Sequence, residues 1–366
     1  MVADRDRHFA HSILSNFCSA ICPSLAPLTK LMQTQKVPRI GVILDGTDHF
    51  FRPVEKELTL TYRVDRFKPS FIHAPIIGER VNQYRLSRQL RGFLDKHEAV
   101  FFEWAGPLAA LGSRLSSHTR RYVRVHRTEL FTNINSLDWS SFERIIFVSH
   151  SMRKYFLEHF PEECGRTTVI HNGVDLERFR PNSKPFQWRI GMLGNLTPRK
   201  RVYDIICTLA EYSSDLPWRL IVGGDPLPSN IDYWKALQDL VKTLRIEDRV
   251  EFQGLVSDPA EWWSTIDVCV SASYSEGQQV ALLEAMASGC FCLSHAWSGV
   301  EEILPPEYIF TTGFEFKSKL LSYAESTKQE KRLTLESLRK IAEEHFDQRR
   351  MLREILDLIV NDKKAQ

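Results

Sequence analysis

Short apolar runs alternate with segments of helical spacing from residue 37 onward. The run RIGVILDG ends in an Asp-Gly pair, which predicts a buried strand followed by a tight turn. Three further runs, AVFFEWAG, RRYVRVHR and ERIIFVSH, predict strands of the same kind. Between them, VNQYRLSRQLRGFL and PLAALGSRL place apolar residues at helical intervals. The first half of the chain is therefore predicted to alternate strands and helices.

A second alternating set follows a stretch rich in turn residues, LEHFPEECGRTTVIHNGVDLERFRPNSKP. Its predicted strands are WRIGMLG, WRLIVGG, RVEFQG, DVCVSAS and CFCLSH, and its helices cover residues 201–212, 233–244 and 280–287. Strands that are apolar almost throughout are typical of parallel sheets. Two such blocks predict an α/β fold of two doubly wound, Rossmann-like domains that face each other across a cleft. We place these domains at residues 37–182 and 183–345.

The two ends of the chain differ from these blocks. Residues 1–36 mix both charge signs and contain prolines, which makes a poor signal peptide and favours a loosely attached N-terminal extension. One hypothesis for it is a short helix that touches a membrane or a partner. Residues 317–359 are charged and helical in pattern, and we expect residues 346–366 to form a C-terminal helix that packs back on the first domain. Its apolar residues at helical spacing are Met351, Leu352, Ile355, Leu356 and Ile359.

Composition narrows the classes of function. Lys and Arg number 48 against 46 Asp and Glu, a net charge of +2 that provides no broad basic face for a nucleic acid partner. Seven cysteines occur without C-x-x-C spacing, and several lie in apolar runs, so a reducing cytoplasm is favoured over secretion. No stretch of the sequence reaches the about 20 apolar residues of a membrane helix. We expect a cytoplasmic protein, with peripheral contact at the inner face of a membrane as a further hypothesis.

An acidic pair marks the first candidate site, in the segment SEGQQVALLEAMASG. Glu284 is the only polar side chain between Val280 and Ala287, in a helix whose pattern predicts burial on all sides. A buried carboxylate needs a partner, either a structural ion pair with Arg or Lys or a set of ligand hydroxyls. Glu276 precedes it at a separation of about 10–12 Å, which exceeds the carboxylate spacing of about 5–9.5 Å in glycoside hydrolases. The two carboxylates are therefore suited to bind the two ends of an elongated ligand. The helix start between Glu276 and Glu284 would bind an anionic group of that ligand.

The segment GMLGNLTPRKRV marks the second candidate site. Thr197 is predicted to cap a helix in which Pro198 takes the first position. Arg199, Lys200 and Arg201 then fall in the first turn, where the helix dipole opposes each positive charge by ~0.3–1 kcal/mol. Three cations at this end of a helix indicate a nearby anion, and the alternative is a solvated basic face.

Together these segments offer cations for a diphosphate and carboxylates for hydroxyl groups at either end, which is the layout of a nucleoside diphosphate sugar. The second half of the chain resembles the retaining glycosyltransferases of family four, which have the GT-B fold. The family's E-x7-E signature matches EGQQVALLE, its phosphate loop matches GNLTPRK, and a characteristic segment before the second domain matches VIHNGVDLERFRP. The resemblance covers residues 120–345 and, by general pattern only, residues 38–120.

The resemblance implies a role for each matching residue. Glu284 would hold the ribose hydroxyls, Glu276 would face the transferred sugar, and Lys200 would meet the diphosphate and stabilise the leaving group. His126 would reach across the cleft towards the donor sugar, although its sequence context alone is typical of a satisfied core or surface histidine. Gly46 would let the backbone approach the phosphates. Backbone N–H groups near the sugar and phosphates would come from Gly277, Gln278, Gln279 and Val280.

Two positions depart from the family pattern. Asn195 stands where the family has an arginine, which removes one cation from the donor-binding diphosphate site, and Arg199 is the candidate to replace it. The usual double glycine after the first strand is reduced to Asp45-Gly46, and a bulky HFF sequence follows closely. The first change bears on donor affinity and the second on the shape of the acceptor side.

The resemblance implies an enzyme that moves a sugar from a nucleoside diphosphate sugar to an acceptor hydroxyl with retention of anomeric configuration. Transfer would need no protein nucleophile, and no D-x-D motif lies beside a predicted strand, so we expect no metal and no cofactor. The acceptor would be a carbohydrate or lipid-linked molecule in glycan, polysaccharide or glycolipid synthesis. Two alternatives stay open: a nucleotide-sugar epimerase on the same fold, and a catalytically silent binding protein in which Asn195 is a sign of decay.

Overall fold

The computed structural model describes residues 38–48, 51–71, 78–211 and 216–361 of the 366-residue chain. The extension expected over residues 1–36 lies outside them. The strands of this part are β1 (Arg39–Leu44), β2 (Arg63–Arg66), β3 (Ala99–Glu103), β4 (Arg120–Val125), β5 (Arg144–Phe147), β6 (Thr167–Val169), β7 (Arg189–Leu193), β8 (Arg219–Gly223), β9 (Val250–Gly254), β10 (Val268–Ser271), β11 (Phe291–His295) and β12 (Ile309–Phe310). Its helices are α1 (Arg52–Thr61), α2 (Gly78–Leu94), α3 (Pro107–Ser113), α4 (Arg127–Thr132), α5 (His150–His159), α6 (Val202–Ala210), α7 (Ile231–Leu244), α8 (Pro259–Ser264), α9 (Val280–Ala287), α10 (Gly313–Glu325), α11 (Lys328–His345) and α12 (Gln348–Asn361).

Two six-stranded sheets organise the described residues. The first has the strand order β2-β1-β3-β4-β5-β6, and the second has the order β12-β11-β10-β7-β8-β9. Neighbouring strands are parallel in both sheets, and α-helices connect most successive strands. The structure thus confirms the predicted α/β fold of two doubly wound, Rossmann-like domains.

Alternate residues along a strand of the first sheet pack into hydrophobic clusters on opposite faces of the sheet. This explains why the sequence of such a strand is apolar almost throughout. In β3, Val100 and Phe102 belong to one hydrophobic cluster, whereas Ala99 and Phe101 belong to another. Successive side chains of a strand point to opposite faces, so the two clusters cover the two sides of the sheet. A sheet covered on both faces needs apolar residues at nearly every position of its central strands.

The C-terminal part of the chain forms three helices, α10 to α12, rather than one continuous helix. Thr327 interrupts the helical run because its side chain caps the start of α11. α12 lies against the first domain, where Met351, Ile355 and Ile359 share a buried cluster with residues of β1. The other two apolar residues of the expected face are partly buried against the same cluster. The amphipathic face of α12 is therefore covered by the first sheet.

The described residues test two expectations from the sequence, the lack of a membrane helix and the presence of reduced cysteines. None of their helices combines the length and the apolar character needed to cross a membrane. Their cysteines are free thiols, and Cys269, Cys290 and Cys292 are buried in the core of the second domain. There they pack as small apolar groups, as their sequence surroundings predict.

The chain crosses between the domains twice, and the two crossings touch. It leaves the first domain through Gly173 and Val174 and returns through Phe346 to Gln348. The N–H of Val174 donates to the carbonyl of Phe346 at 2.8 Å, and the N–H of Gln348 donates to the carbonyl of Val174 at 3.1 Å. A Cβ atom on Gly173 would overlap the Cα of Gln348. Glycine is therefore the residue that permits this close backbone approach.

We expect Gly173→Ala to lower the free energy of unfolding by about 1–3 kcal/mol, because the added methyl group must push two backbone segments apart. Chemical denaturation followed by tryptophan fluorescence measures this change. Gly165→Ala is the matched control, since a Cβ at that glycine meets nothing within 4 Å. An equal loss of stability in both variants would contradict the close approach at Gly173.

Candidate active site

The loops that carry the predicted site residues follow strands at the switch points of the two sheets. In the second sheet, β7 and β10 lie side by side, and later strands are added outward from them on both sides, which makes this pair the switch point. The loop after β7 carries Lys200, and the loop after β10 carries Glu276. In the first sheet, β1 and β3 are the corresponding pair, and Gly46 and Trp104 follow them. Open α/β sheets bind ligands in the crevices outside such strand ends. The fold therefore gathers these residues where a ligand is expected.

The segment after β7 differs from its prediction. Pro198–Lys200 forms a short 3-10 turn, in which the N–H of Lys200 donates to the carbonyl of Thr197 at 2.9 Å. Arg201 follows in the left-handed conformation with a φ of 52°, and α6 begins only after it. The prediction that Thr197 caps an α-helix whose first turn holds three basic residues is therefore wrong. Because Arg201 redirects the chain, Arg199 and Lys200 precede the helix and lie outside its first turn.

Glu276 is the anion that these two cations meet in the structure. Its carboxylate lies 2.7 Å from the Nζ of Lys200 and 2.5 Å from a guanidinium nitrogen of Arg199. The hydroxyl of Ser273 donates to it as well, at 2.7 Å. Burial opposes ionisation of this carboxyl, but Lys200 and Arg199 outweigh burial and hold its pKa below the ordinary value. Glu276 is thus an ionised, buried carboxylate beside the switch point of the second sheet.

Glu284 has quite different surroundings on α9. Its carboxylate accepts a hydrogen bond from the indole N–H of Trp263 at 3.2 Å. Burial raises its pKa to about 7, since Trp263 and the charge of Arg178 compensate burial only in part. Among the described residues no Lys or Arg forms an ion pair with it. The structural ion pair considered from the sequence is therefore absent from this part of the chain, and the carboxylate keeps capacity for ligand hydroxyls.

The loop that leads into α9 is held by its side chains. The Oε1 of Gln278 accepts a hydrogen bond from the backbone N–H of Asn172 at 2.6 Å, which links the loop to the interdomain crossing. Gln279, the residue before α9, accepts a hydrogen bond from the hydroxyl of Ser271. A Cβ on Gly277 would lie 3.3 Å from the backbone nitrogen of Arg127 in the first domain. These contacts orient the segment Gly277 to Val280, whose backbone N–H groups lie at the start of α9.

His126 lies on the first domain side, directly before α4. Its Nε2 is 2.9 Å from a carboxylate oxygen of Glu103, and its ring packs against that of Trp104 at a tilt of 32°, with 4.1 Å between the centroids. Glu103 also accepts three hydrogen bonds from Arg124, at 2.8, 2.9 and 3.1 Å, and the side chains of Glu103, Arg124 and His126 are all buried. Burial opposes ionisation of Glu103, but Arg124 and His126 outweigh it and lower the pKa of this carboxyl. The Nε2 of His126 therefore faces its own domain and not the opposite side of the cleft.

The loop after β1 packs closely against Trp104. A Cβ on Gly46 would lie 2.8 Å from the indole ring, and that indole N–H donates to the carbonyl of Thr47 at 3.1 Å. Asp45 accepts hydrogen bonds at 3.0 Å from the N–H groups of Leu108 and Ala109 at the start of α3. The Asp45-Gly46 pair thus caps a helix and accommodates an aromatic ring.

Arg127 is a residue of this region that the sequence reasoning missed. Its guanidinium donates to the hydroxyl of Ser275 at 2.6 Å, and Arg199 donates to the carbonyl of the same serine at 2.7 Å. Burial, followed by the nearby charge of Arg199, lowers the pKa of Arg127. The available signal was its position at the carboxyl end of a buried strand, next to His126. Ser275 therefore connects the basic groups of both domains beside Glu276.

The two halves of the chain match two models of one class of protein. Residues 39–178 match the model described as Glycosyltransferase Family 4. Residues 187–325 match the model described as Glycosyl transferases group 1. The two models together account for most of the chain, one for each Rossmann-like domain. The chain belongs to the family-four type of glycosyltransferases.

Curated relatives match this chain over only part of their own length. It is 27% identical over 176 residues to D-inositol 3-phosphate glycosyltransferase of Streptomyces avermitilis, covering 43% of this chain and 38% of that protein. It is 33% identical over 112 residues to N-acetyl-alpha-D-glucosaminyl L-malate synthase of Bacillus anthracis, covering 31% of this chain and 28% of that protein. The matched segment thus spans well under half the length of these relatives.

Solved structures match nearly the whole described fold. Anabaena HepE in complex with UDP-glucose gives a TM-score of 0.72 at 17% identity, covering 88% of this chain and 100% of that one. Sucrose-phosphate synthase from Thermosynechococcus elongatus gives a TM-score of 0.72 at 17% identity, covering 90% and 100% of the two chains. These likenesses show that the chain has the GT-B fold.

The departure from the family pattern at Asn195 can be placed in the structure. Asn195 is exposed in the loop after β7. Arg199 lies further along that loop, and its guanidinium contacts the same Glu276 carboxylate as Lys200. Two cations thus converge beside the start of α9 although the arginine of the family pattern is missing.

Proposed function

We propose that this protein transfers a sugar from a nucleoside diphosphate sugar to an acceptor hydroxyl with retention of the anomeric configuration. The observation that carries the proposal is the convergence of Arg199, Lys200 and Glu276 beside the start of α9, with Glu284 further along that helix. Membership of the family supports it, as do the complexes of HepE with UDP and UDP-glucose.

Each group of the proposed site binds the part of the donor that suits its charge. Lys200 and Arg199 neutralise the diphosphate, and the N–H groups of the segment Gly277 to Val280 bind next to it, because a helix start attracts anions. Glu284 accepts hydrogen bonds from the ribose hydroxyls. The diphosphate competes with Glu276 for the two cations, so donor binding leaves that carboxylate available to the transferred sugar.

The transfer step moves negative charge onto the diphosphate. The bond between the anomeric carbon and the phosphate oxygen breaks, and the acceptor oxygen bonds to that carbon from the same face. The acceptor proton passes to the departing phosphate oxygen, so no protein nucleophile takes part. Lys200 and Arg199 stabilise the developing charge from fixed positions, which is the protein's main contribution to the rate. With two cations in this role, we propose that no catalytic metal is needed.

The first domain supplies the acceptor side in this proposal. His126, held by Glu103 and Trp104, borders the donor sugar, and Gly46 lies at the neighbouring strand end. The curated relatives carry D-inositol 3-phosphate and L-malate in their names, which are both hydroxyl compounds. We propose a carbohydrate or lipid-linked alcohol as the acceptor here, in the synthesis of a glycan, polysaccharide or glycolipid.

A thermal-shift screen against a panel of nucleoside diphosphate sugars tests the proposal first. We expect a small subset of donors to raise the Tm, because binding to the folded state stabilises it. The donors that bind are then incubated with candidate acceptors, and NMR of the product should show the anomeric configuration of the donor. Release of an epimer without any acceptor would instead identify an epimerase. Failure of every donor to bind would favour the catalytically silent alternative.

A further inference from the structure

Two histidines and a glutamate gather beside the interdomain crossing, and none of the three belongs to the proposed site. His150 begins α5, His171 follows β6, and Glu302 ends the 3-10 turn Val300–Glu302 of the second domain. One ligand-type atom from each side chain lies within 4.8 Å of the other two. The proposed transfer reaction assigns no role to these three side chains.

The hydrogen bonding of His171 fixes which ring nitrogen faces the cluster. Its Nδ1 is 3.0 Å from the carbonyl oxygen of Val148, and a carbonyl oxygen can only accept, so Nδ1 carries the proton. In a neutral imidazole the Nε2 atom then keeps its lone pair. Histidines that bind metals commonly donate their other N–H to a backbone carbonyl in this way. The ring also packs edge-on against Phe346, with 5.6 Å between the centroids, which restricts its rotation.

Glu302 is equally well oriented, and from the opposite domain. One carboxylate oxygen accepts the backbone N–H of Ser151 at 2.8 Å, and the other accepts the N–H of His150 at 2.7 Å. Each oxygen has a second lone pair that these bonds leave unused. The carboxylate is therefore anchored at the start of α5 while it retains capacity for a cation.

We propose that His150, His171 and Glu302 bind one Zn²⁺ ion that clamps the two domains together. Two imidazole nitrogens and one carboxylate oxygen are a ligand set that zinc uses in proteins, with water in the fourth position. A cavity of about 150 Å³ borders both histidines and provides room for that water. Tetrahedral binding needs ligand atoms about 3.3 Å apart, which the exposed His150 can reach by rotating its side chain.

The clamp follows from where the three ligands are attached. His150 and His171 belong to the first domain and its exit, and Glu302 belongs to the second. A metal bonded to all three would hold the relative position of the domains, in addition to the backbone contacts of the two crossings. The ion is structural in this proposal and takes no part in sugar transfer.

Metal uptake by the full chain tests the clamp. The protein is dialysed against EDTA, titrated with ZnCl₂ and analysed by mass spectrometry of the metal, and CoCl₂ serves as a visible-absorbing substitute. We expect one Zn²⁺ per chain, a rise in Tm, and slower amide exchange at residues 149–151 and 300–302. His150→Gln and His171→Gln should each weaken the affinity at least about tenfold, since both remove a direct ligand.

His159→Gln is the matched control for these variants. His159 ends the same helix α5, and its Nδ1 is 2.9 Å from the carbonyl of Tyr155, so its ring is oriented in the same manner. The His159→Gln variant should bind Zn²⁺ and Co²⁺ with the same affinity as the wild type. The proposal would be overturned if the wild type took up no stoichiometric metal, or if His150→Gln, at an exposed position that folding does not depend on, bound it unchanged. Uptake without protection of residues 300–302 would overturn the clamp.

Discussion

Lys200→Ala is expected to lower the turnover number by about 10²–10³-fold, the usual effect of removing one fixed donor from a developing negative charge. The Nζ of Lys200 lies 2.7 Å from Glu276 in the free protein, at the start of the helix where the diphosphate is proposed to bind. The change should appear at saturating donor, because the charge on the leaving diphosphate grows between the bound state and the transition state. Steady-state kinetics with the donor found in the thermal-shift screen measure it.

Arg201→Asn is the matched control for this prediction. Arg201 is the neighbouring cation, but it forms its ion pair with Asp204 at 2.8 Å and does not contact Glu276. Asparagine tolerates the left-handed conformation that this position requires. The turnover number of the Arg201→Asn variant should stay close to that of the wild type. Near-normal turnover of Lys200→Ala under saturating donor would defeat the assignment of Lys200 to the leaving group.

Glu284→Gln is expected to weaken donor binding by about 10–100-fold, since hydrogen bonds to a charged group contribute about 1.5–3 kcal/mol. The ionised carboxylate accepts bonds from two ribose hydroxyls, whereas the amide offers one acceptor oxygen. Because burial raises the pKa of Glu284 to about 7, the wild type should also bind the donor more weakly as the pH falls below that value. The affinity of Glu284→Gln should not show this dependence. Isothermal titration calorimetry between pH 5.5 and 8.5 measures both effects.

The same substitution should stabilise the fold. The pKa of this carboxyl rises from 4.5 to about 7 on folding, so the folded state holds the proton more tightly. The wild type therefore loses stability as the pH rises from about 4.5 to about 7, and the variant does not. At pH 8 Glu284→Gln should be more stable by up to about 3 kcal/mol, and the difference should vanish in acid. Denaturant unfolding at pH 4.5 and pH 8 gives the comparison.

Glu261→Gln is the control for both results. Glu261 is an exposed carboxylate on α8, close in sequence to the Trp263 that contacts Glu284. It should change neither the donor affinity nor the pH dependence of stability. If Glu284→Gln were less stable than the wild type at pH 8, the carboxylate would have to be held by a structural partner, as the ion-pair alternative supposed.

Hydrophobic periodicity alone predicted much of the architecture. Nine of the twelve described strands coincide with predicted apolar runs, whereas β2, β6 and β12 were not predicted. The helix α9 covers Val280–Ala287 as its pattern predicts. The apolar face of α12 predicted a helix that had to be buried. These features depend on local spacing, which is written directly into neighbouring residues.

The local geometry of the candidate site could be predicted from the sequence only in part. The motif residues Lys200, Glu276 and Glu284 could be selected from the sequence, but the start of α6 could not. A left-handed Arg201 decides that start, and no local pattern distinguishes it from a first helical turn. The pairing of His126 with Glu103 was likewise not evident, because the two residues lie on neighbouring strand ends far apart in sequence.

The sequence by itself determined most of the strands, several of the helices, the two Rossmann-like domains and the identity of the acidic pair. Only the tertiary structure decided that Arg199 and Lys200 meet Glu276, that Glu284 has no such cation among the described residues, and that His126 turns towards Glu103. Secondary structure depends on spacing within a few turns of chain. Charge pairing and burial depend on which loops the sheets bring together, and the paired Lys200 and Glu276 lie 76 residues apart in the sequence.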